Sequence, residues 1–332
     1  MVETMQQLIQ CMQTFKMKHS NIIKSIVFLG ILFILFNLLS LLFVPKNNYK
    51  KLGMNNVEAN GILGEKENSI DVLFLGDSEA YTSMSPLIMY NQYGFTSYVC
   101  ATPGQRLYDT LKYFDKALEK QKPKVIVIET NAIYRKYNFF ENMVANWKNY
   151  FPFFEYHNRW KDLNKNDFTG KVEYTYTHPN KGFKIKKKMA PATLKDYMKE
   201  TNKGKHVPAS NVSYIQKMIK ICKEKNIKLV FISSPSIKNW NYSKHLGIAS
   251  FATENNLNYY DLNIGNAADI DWLKDTVDKG DHLNIRGAKK SSLKIGEYLI
   301  NNYDLIDHRG EEEYSSWDER TQEFIEENEK WM

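Results

Sequence analysis

Four short stretches of this chain hold residues that could do nucleophilic chemistry. The first, Gly76-Asp77-Ser78-Glu79-Ala80, puts a serine directly after the apolar run Asp71–Leu75. At a strand-to-helix corner such a hydroxyl is exposed to a ligand, although a plain helix N-cap would favour the same residue. Ala80 stands where the alternating-glycine elbow of α/β-hydrolases would place its last glycine, so that motif is absent. The second stretch, Ala101-Thr102-Pro103-Gly104-Gln105, offers at Gly104 a backbone N–H that can approach a ligand closely. In the third, Glu129-Thr130-Asn131, an asparagine amide past a strand end can donate to a developing oxyanion. The fourth, Asp278-Lys279-Gly280-Asp281-His282-Leu283-Asn284, sets a histidine within a turn of two carboxylates. A general base needs one ring nitrogen for the nucleophile and an acid to hold the other.

The intervening sequence supplies elements to position them. Strands are expected at Asp71–Leu75, Thr96–Cys100, Lys124–Ile128, Lys228–Ser233 and Asn258–Leu262, short apolar runs bounded by turn residues. Helices are expected at Leu107–Lys120, Asn211–Lys225, Tyr242–Asn255 and Ile285–Asn302. Strand alternating with helix predicts an α/β, doubly wound, mostly parallel five-stranded sheet covered on both faces. Ligands of such sheets bind beyond the carboxyl ends of the strands, where all four stretches lie.

Ser78, Gly104, Asn131 and His282, in that order and each after its own strand, resemble the four blocks of the SGNH/GDSL hydrolase family. The resemblance covers roughly residues 70–302 and implies a flavodoxin-like three-layer αβα domain. By carry-over, Ser78 is the nucleophile and His282 the base. The Ser78 N–H, the Gly104 N–H and the Asn131 amide form the oxyanion hole, and the chemistry is acyl transfer without metal or organic cofactor. Two departures stand out. Glu129 and Ala132 replace the outer members of the usual Gly-x-Asn-Asp block. The family's acid lies three residues before the histidine, where this chain has Lys279. Asp278 can reach the ring if Gly280 folds the loop back, and adjacent Asp281 is the alternative acid.

The rest of the chain bounds the setting. The 332 residues carry 43% hydrophobic and 25% charged residues, which excludes a mainly disordered protein. A mean hydropathy of −0.51 excludes a multi-spanning one. Cys11, Cys100 and Cys222 form no CxxC pair, so neither a disulfide framework nor a zinc site is expected. Residues 25–44, Ser25 to Val44, are uncharged and match the roughly 20 residues of a transmembrane helix. The sequence then divides into a tail (1–24), this span, a polar tether (45–69), a catalytic domain (70–308) and an acidic tail (309–332). Three lysines flank the span on each side, so charge alone does not orient it. A short tail before a large domain suggests a single-pass cell-membrane protein with its domain outside.

The net charge of +7 resolves unevenly. The insertion 133–208 has 16 Lys+Arg against 7 Asp+Glu and 16 aromatics, including the cluster Lys181–Lys188. That mixture suits an anionic sugar polymer rather than nucleic acid. The tail 309–332 is net −6, and its Trp317 and Phe324 share a helical face that can dock on the domain. The six other histidines (His19, His157, His178, His206, His245, His308) read as solvated. Within the resembled family, the layout is similar to the D-alanyl-teichoic-acid-transfer proteins and the alginate-type O-acetyltransferases. This implies an esterase or O-acyltransferase on a cell-envelope polysaccharide or teichoic-acid-like polymer, with a multi-spanning membrane acyltransferase partner. The alternative is a non-catalytic envelope protein that binds polymer in the same crevice. A flavodoxin-like cofactor binder is disfavoured, because the first turn lacks a phosphate-cradling glycine run.

Overall fold

The computed structural model describes residues 2–193 and 196–332, and the chain divides into two compact units. The first comprises the residues up to Lys46 together with Asn146–Lys171. Its backbone is one helix, Val2–Phe43, of which Ser20–Phe43 is long and apolar enough to cross a membrane. Ile26, Phe28, Ile31, Ile34 and Leu38 of this stretch are exposed. A water-facing helix would not leave such a stripe open, whereas hydrocarbon would cover it. Near its C-terminal end Phe36 packs among Phe151, Phe153 and Phe154, with centroids 5.0–6.4 Å apart. Arg159 donates to the Phe43 carbonyl at 2.5 Å and to Asp167 at 2.6 Å. A buried guanidinium thus caps the negative end of the helix dipole and is itself neutralised.

The second unit, Asn47–Ala145 with Val172–Met332, holds the sheet. Five parallel strands, β1 (Val72–Gly76), β2 (Ser97–Ala101), β3 (Val125–Glu129), β4 (Lys228–Ser233) and β5 (Asn258–Asp261), lie in the order β2-β1-β3-β4-β5. Each strand falls within a residue of its sequence expectation. Alternation puts Leu73, Leu75, Ile126, Ile128, Leu229 and Phe231 into one core. Val72, Phe74, Val125, Val127, Val230 and Ile232 enter the other. The first core is closed by the helices Leu107–Leu118 and Ala209–Glu224, the second by Ile295 and Leu299 of the helix Ile285–Asn302. Two cores on opposite faces make the three layers. The chain order reverses between β1 and β3, and their carboxyl ends form the switch point where open α/β sheets bind ligands.

Three expectations are corrected. Residues 45–69 are not a free tether beyond Asn47: Ala59, Ile62 and Leu63 are buried in the first core. Fully buried Asn48 donates to the carbonyls of Asn60 and Tyr176 at 2.9 and 2.6 Å. The polar composition of that stretch is spent on satisfying buried backbone. Second, the insertion is three pieces. Residues 133–145 belong to the second unit, Trp147 and Trp160 to the first, and residues 172–193 and 196–208 form an irregular strap on the second. The strap bonds in turn to Val99, Tyr81, Ile285, Thr276 and Ser243 through the backbone of Lys181, Lys184, Lys186, Ala190 and Lys205. It shields edge strand β2 and runs past the segments that follow Ser78 and His282. Third, Asn211 does not start its helix, which begins at Ala209; its side chain instead donates to the Ile133 and Arg135 carbonyls.

The C-terminal helix Ser315–Asn328 docks as its pattern implied, with Trp317 and Phe324 buried beside Tyr90 and Phe183.

Candidate functional site

Strand β1 runs out at Gly76, and the helix Ser78–Ser83 starts with Asp77 as its N-cap, accepting the Glu79 N–H at 3.0 Å. Ser78, 8% exposed, occupies the first turn. Burial and the Asp77 charge raise the pKa of Tyr81, one turn on, while interaction with Ser78 opposes the rise. Asp77 is fully buried and does more than cap. Its second oxygen accepts from Asn131 Nδ2 at 3.0 Å and from Arg135 Nε. Asn131 therefore sits against the turn that carries Ser78. One amide hydrogen is held by Asp77, and its Oδ1 accepts from Lys244 Nζ at 3.3 Å, which fixes the orientation of the amide. Glu129, at the end of β3, accepts the Asn131 N–H at 3.0 Å and shapes that turn.

Gly104 has φ +63°, and Arg106 folds back to its carbonyl at 2.8 Å. The register Gly76↔Ala101 sets its loop at the strand end next to that of Ser78. No hydrogen bond among the described residues ties Gly104 to Ser78 or Asn131.

The loop before the last helix folds back as the Asp278 alternative requires. Lys279 and Gly280 have φ +63° and +86°, a reversal that glycine makes without a Cβ penalty. Asp278 then accepts the His282 N–H at 2.7 Å through Oδ1 and faces His282 Nδ1 at 2.6 Å through Oδ2. Asp281 Oδ2 is 3.9 Å from the same nitrogen, and the Asp281 carboxylate accepts from Asn239 instead. Thr276 and Ser236 hold the loop from below, bonding Gly280 N–H at 2.8 Å and the Asp281 carbonyl at 2.9 Å. His282 Nε2 is buried and makes no hydrogen bond among the described residues. The structure thus leaves an imidazole oriented at one nitrogen and open at the other.

Glu79, Asn239, Arg135 and Lys244 were not found from sequence, since these partners lie 42–160 positions away. Asn239 donates to Glu79 Oε1 at 2.6 Å as well as to Asp281. Glu79, Asp281 and His282 offer ligand atoms within 4.8 Å of one another, a set that could hold a divalent cation. Burial first, then the Asp77 and Glu129 charges, raises the Glu79 pKa well above the ordinary carboxyl range. Glu129 rises for the same reasons, burial and then Asp77. A carboxyl that keeps its proton in the fold and loses it on unfolding binds more protons in the native state. Its contribution therefore falls as pH rises above the ordinary value of 4.5. Glu129→Gln is accordingly expected to lose less thermal stability than the parent between pH 6 and 9, about 1–2 kcal/mol at the alkaline end. Melting curves across that range measure it.

Three of the remaining histidines are not solvated. His308 bridges Asp71 and Glu311 at 3.1 Å each, and His245 pairs with Asp261 at 2.8 Å. His178 accepts from the backbone of Asn180 and Gly182, and burial pushes its pKa down to about 4. The sequence around His308 and His245 gave no sign of Asp71 and Asp261, whereas the partners of His178 lie within four residues of it. His157 and His206 are exposed, and the side chain of His19 lies outside the described residues.

No protein-family model and no curated protein matches the chain. Several solved structures are similar to it. A lipase/acylhydrolase from Enterococcus faecalis is 13% identical with a TM-score of 0.39, covering 71% of this chain and 98% of its own. The psychrotrophic esterase EstA from a Pseudoalteromonas species is 12% identical with a TM-score of 0.39, over 70% and 98%. A GDSL-like lipase from Bacteroides thetaiotaomicron is 13% identical with a TM-score of 0.35, over 70% and 88%.

Proposed function

We propose that this protein is a membrane-anchored, extracytoplasmic serine esterase or O-acyltransferase acting on an acyl ester of a cell-envelope glycopolymer. The observation that carries the proposal is the Asp278–His282 pair, closed at 2.6 Å on Nδ1 and open on Nε2. The carboxylate fixes the tautomer that leaves Nε2 basic and stabilises the imidazolium formed when that nitrogen takes a proton. In this mechanism His282 Nε2 removes the Ser78 hydroxyl proton as Oγ attacks the ester carbonyl. The tetrahedral oxyanion is met by the Ser78 and Gly104 N–H groups and the free hydrogen of the Asn131 amide. Collapse expels the alcohol, which leaves with the proton from His282, and an acyl-serine remains. Attack by water then completes hydrolysis, and attack by a second hydroxyl completes transfer.

Asp77 and Lys244 support the reading by holding the Asn131 amide in one orientation, so its donor is set before the charge develops. Asn131→Ala is expected to lower kcat about 10²–10³-fold with little change in KM, checked by steady-state hydrolysis of a p-nitrophenyl ester. The apolar Ser20–Phe43 stretch supports anchoring, and a multi-spanning membrane acyltransferase is the partner that would supply acyl groups for transfer. Incubating the purified chain with acylated envelope polymer tests the function as a whole. Release of free acid indicates hydrolysis, movement of label to a second hydroxyl indicates transfer, and the absence of both overturns the proposal.

A further inference from the structure

The basic strap was expected to present its lysines to a polymer, but two of the five in its densest cluster are paired within the fold, while Lys186, Lys187 and Lys188 stay exposed. Lys181 pairs with Glu65 at 2.9 Å, Lys184 with Glu58 at 3.3 Å, and Lys187 lies over the Trp331 ring. A second group of cations, only partly compensated by Asp77, lies beside Asn131. Lys244 is half-buried, yet among the described residues its ammonium hydrogen-bonds only neutral acceptors, Asn131 Oδ1 and the Asn239 carbonyl. Lys205 Nζ and Lys244 Nζ both lie 5.4 Å from the Tyr134 ring centroid, and neither meets a carboxylate among the described residues. Arg135 gives Nε to Asp77, while its two terminal amino groups have no partner among the described residues. Burial, followed by the Lys205 charge, lowers the Lys244 pKa against the opposing pull of Glu129 and Asp77.

The arrangement is built rather than incidental. The Lys205 backbone donates to the Ser243 carbonyl at 2.7 Å and accepts from the Tyr134 hydroxyl at 2.7 Å. Tyr134 also donates to the Lys244 carbonyl at 2.9 Å, so one hydroxyl ties both lysine backbones together. The strap comes this close because residue 247 is glycine: a Cβ there would lie 1.8 Å from the Lys205 carbonyl oxygen and 2.5 Å from the Tyr134 hydroxyl.

We infer that Lys205, Lys244 and Arg135 form a subsite for a phosphate oxyanion carried by the substrate next to its scissile ester. The inference rests on the proposed esterase reading for the word substrate, and it narrows that polymer to a phosphate-bearing one. A guanidinium with two free amino groups suits two oxygens of one phosphate, and two further ammoniums suit its remaining charge. A single carboxylate would leave part of this charge unmatched.

Direct binding tests the subsite without turnover. The full chain in detergent micelles is titrated calorimetrically with glycerol 1-phosphate, glycerol and glucuronate. Glycerol 1-phosphate is expected to bind at least about tenfold more tightly than either control, and several-fold more weakly when salt rises from 50 to 200 mM. Lys205→Glu should weaken phosphate binding about tenfold or more, and Lys205→Arg should restore it. Equal binding of phosphate and glycerol, tighter binding of glucuronate, or wild-type affinity in Lys205→Glu would each overturn the inference. Fluorophosphonate labelling of Ser78 in the same preparation separates the two readings. A chain that binds phosphate but lacks a reactive Ser78 keeps the subsite and loses the esterase, and the reverse result loses only the subsite.

Discussion

Ser78→Ala is expected to abolish ester turnover, lowering kcat about 10⁶-fold toward the residual rate of an oxyanion hole acting on bound water. The size of the effect follows from a single atom. Without Oγ there is no acyl-serine, and the imidazole of His282 has no hydroxyl to deprotonate. The fold should be nearly unaffected. Asp77, not Ser78, caps the helix, and among the described residues the deleted hydroxyl hydrogen-bonds only the Tyr81 side chain. A change in stability within about 1 kcal/mol is therefore expected, so lost activity and lost folding are separable by a melting curve. If Ser78→Ala instead retained turnover within tenfold of the parent, the nucleophile would have to be sought elsewhere.

The second large effect separates the two candidate acids, of which the sequence favoured Asp278 over Asp281. Asp278→Asn should lower kcat about 10⁴-fold, because an amide in place of Oδ2 would favour the wrong imidazole tautomer. The loop should persist, since the Asn carbonyl can still accept the His282 N–H that Asp278 Oδ1 accepts at 2.7 Å. Asp281→Asn loses one hydrogen bond from Asn239, worth about 1 kcal/mol, and should cost no more than about tenfold. Parallel kinetics of the two variants at one pH decide the matter. A larger loss in Asp281→Asn would mean that the 3.9 Å contact, not the 2.6 Å one, governs the base.

Four strands, β1 to β4, were legible because they are buried on both faces and so read as short apolar runs between turn residues, whereas the edge strand β5 is half-exposed. The site was legible to the extent that chemistry is local. Asp278, Gly280 and His282 lie within five positions, and a glycine two residues past the acid is a visible permission for the loop to reverse. What sequence hid is what folding joins across distance. Asn239 comes from the segment after β4 to bridge Glu79 and Asp281, and Arg135 returns from the far side of β3 to Asp77. Neither leaves a periodic or local trace. Glu79 carries a faint signal of its own, a carboxylate in a strand-end turn whose neighbours are almost all buried. The strap misled for the opposite reason. Lysines counted along a chain look like a charged surface, and only tertiary partners such as Glu65 and Glu58 show which of them are already spent.

The most direct measurement of the central claim is covalent labelling of the full chain in detergent with a fluorophosphonate, followed by peptide mass mapping. The account predicts one adduct, on Ser78, absent in Ser78→Ala and formed at least about 10³-fold more slowly in Asp278→Asn, where the base is misoriented. Labelling that is absent in the parent chain, or that persists unchanged when Ser78 is replaced, would contradict it.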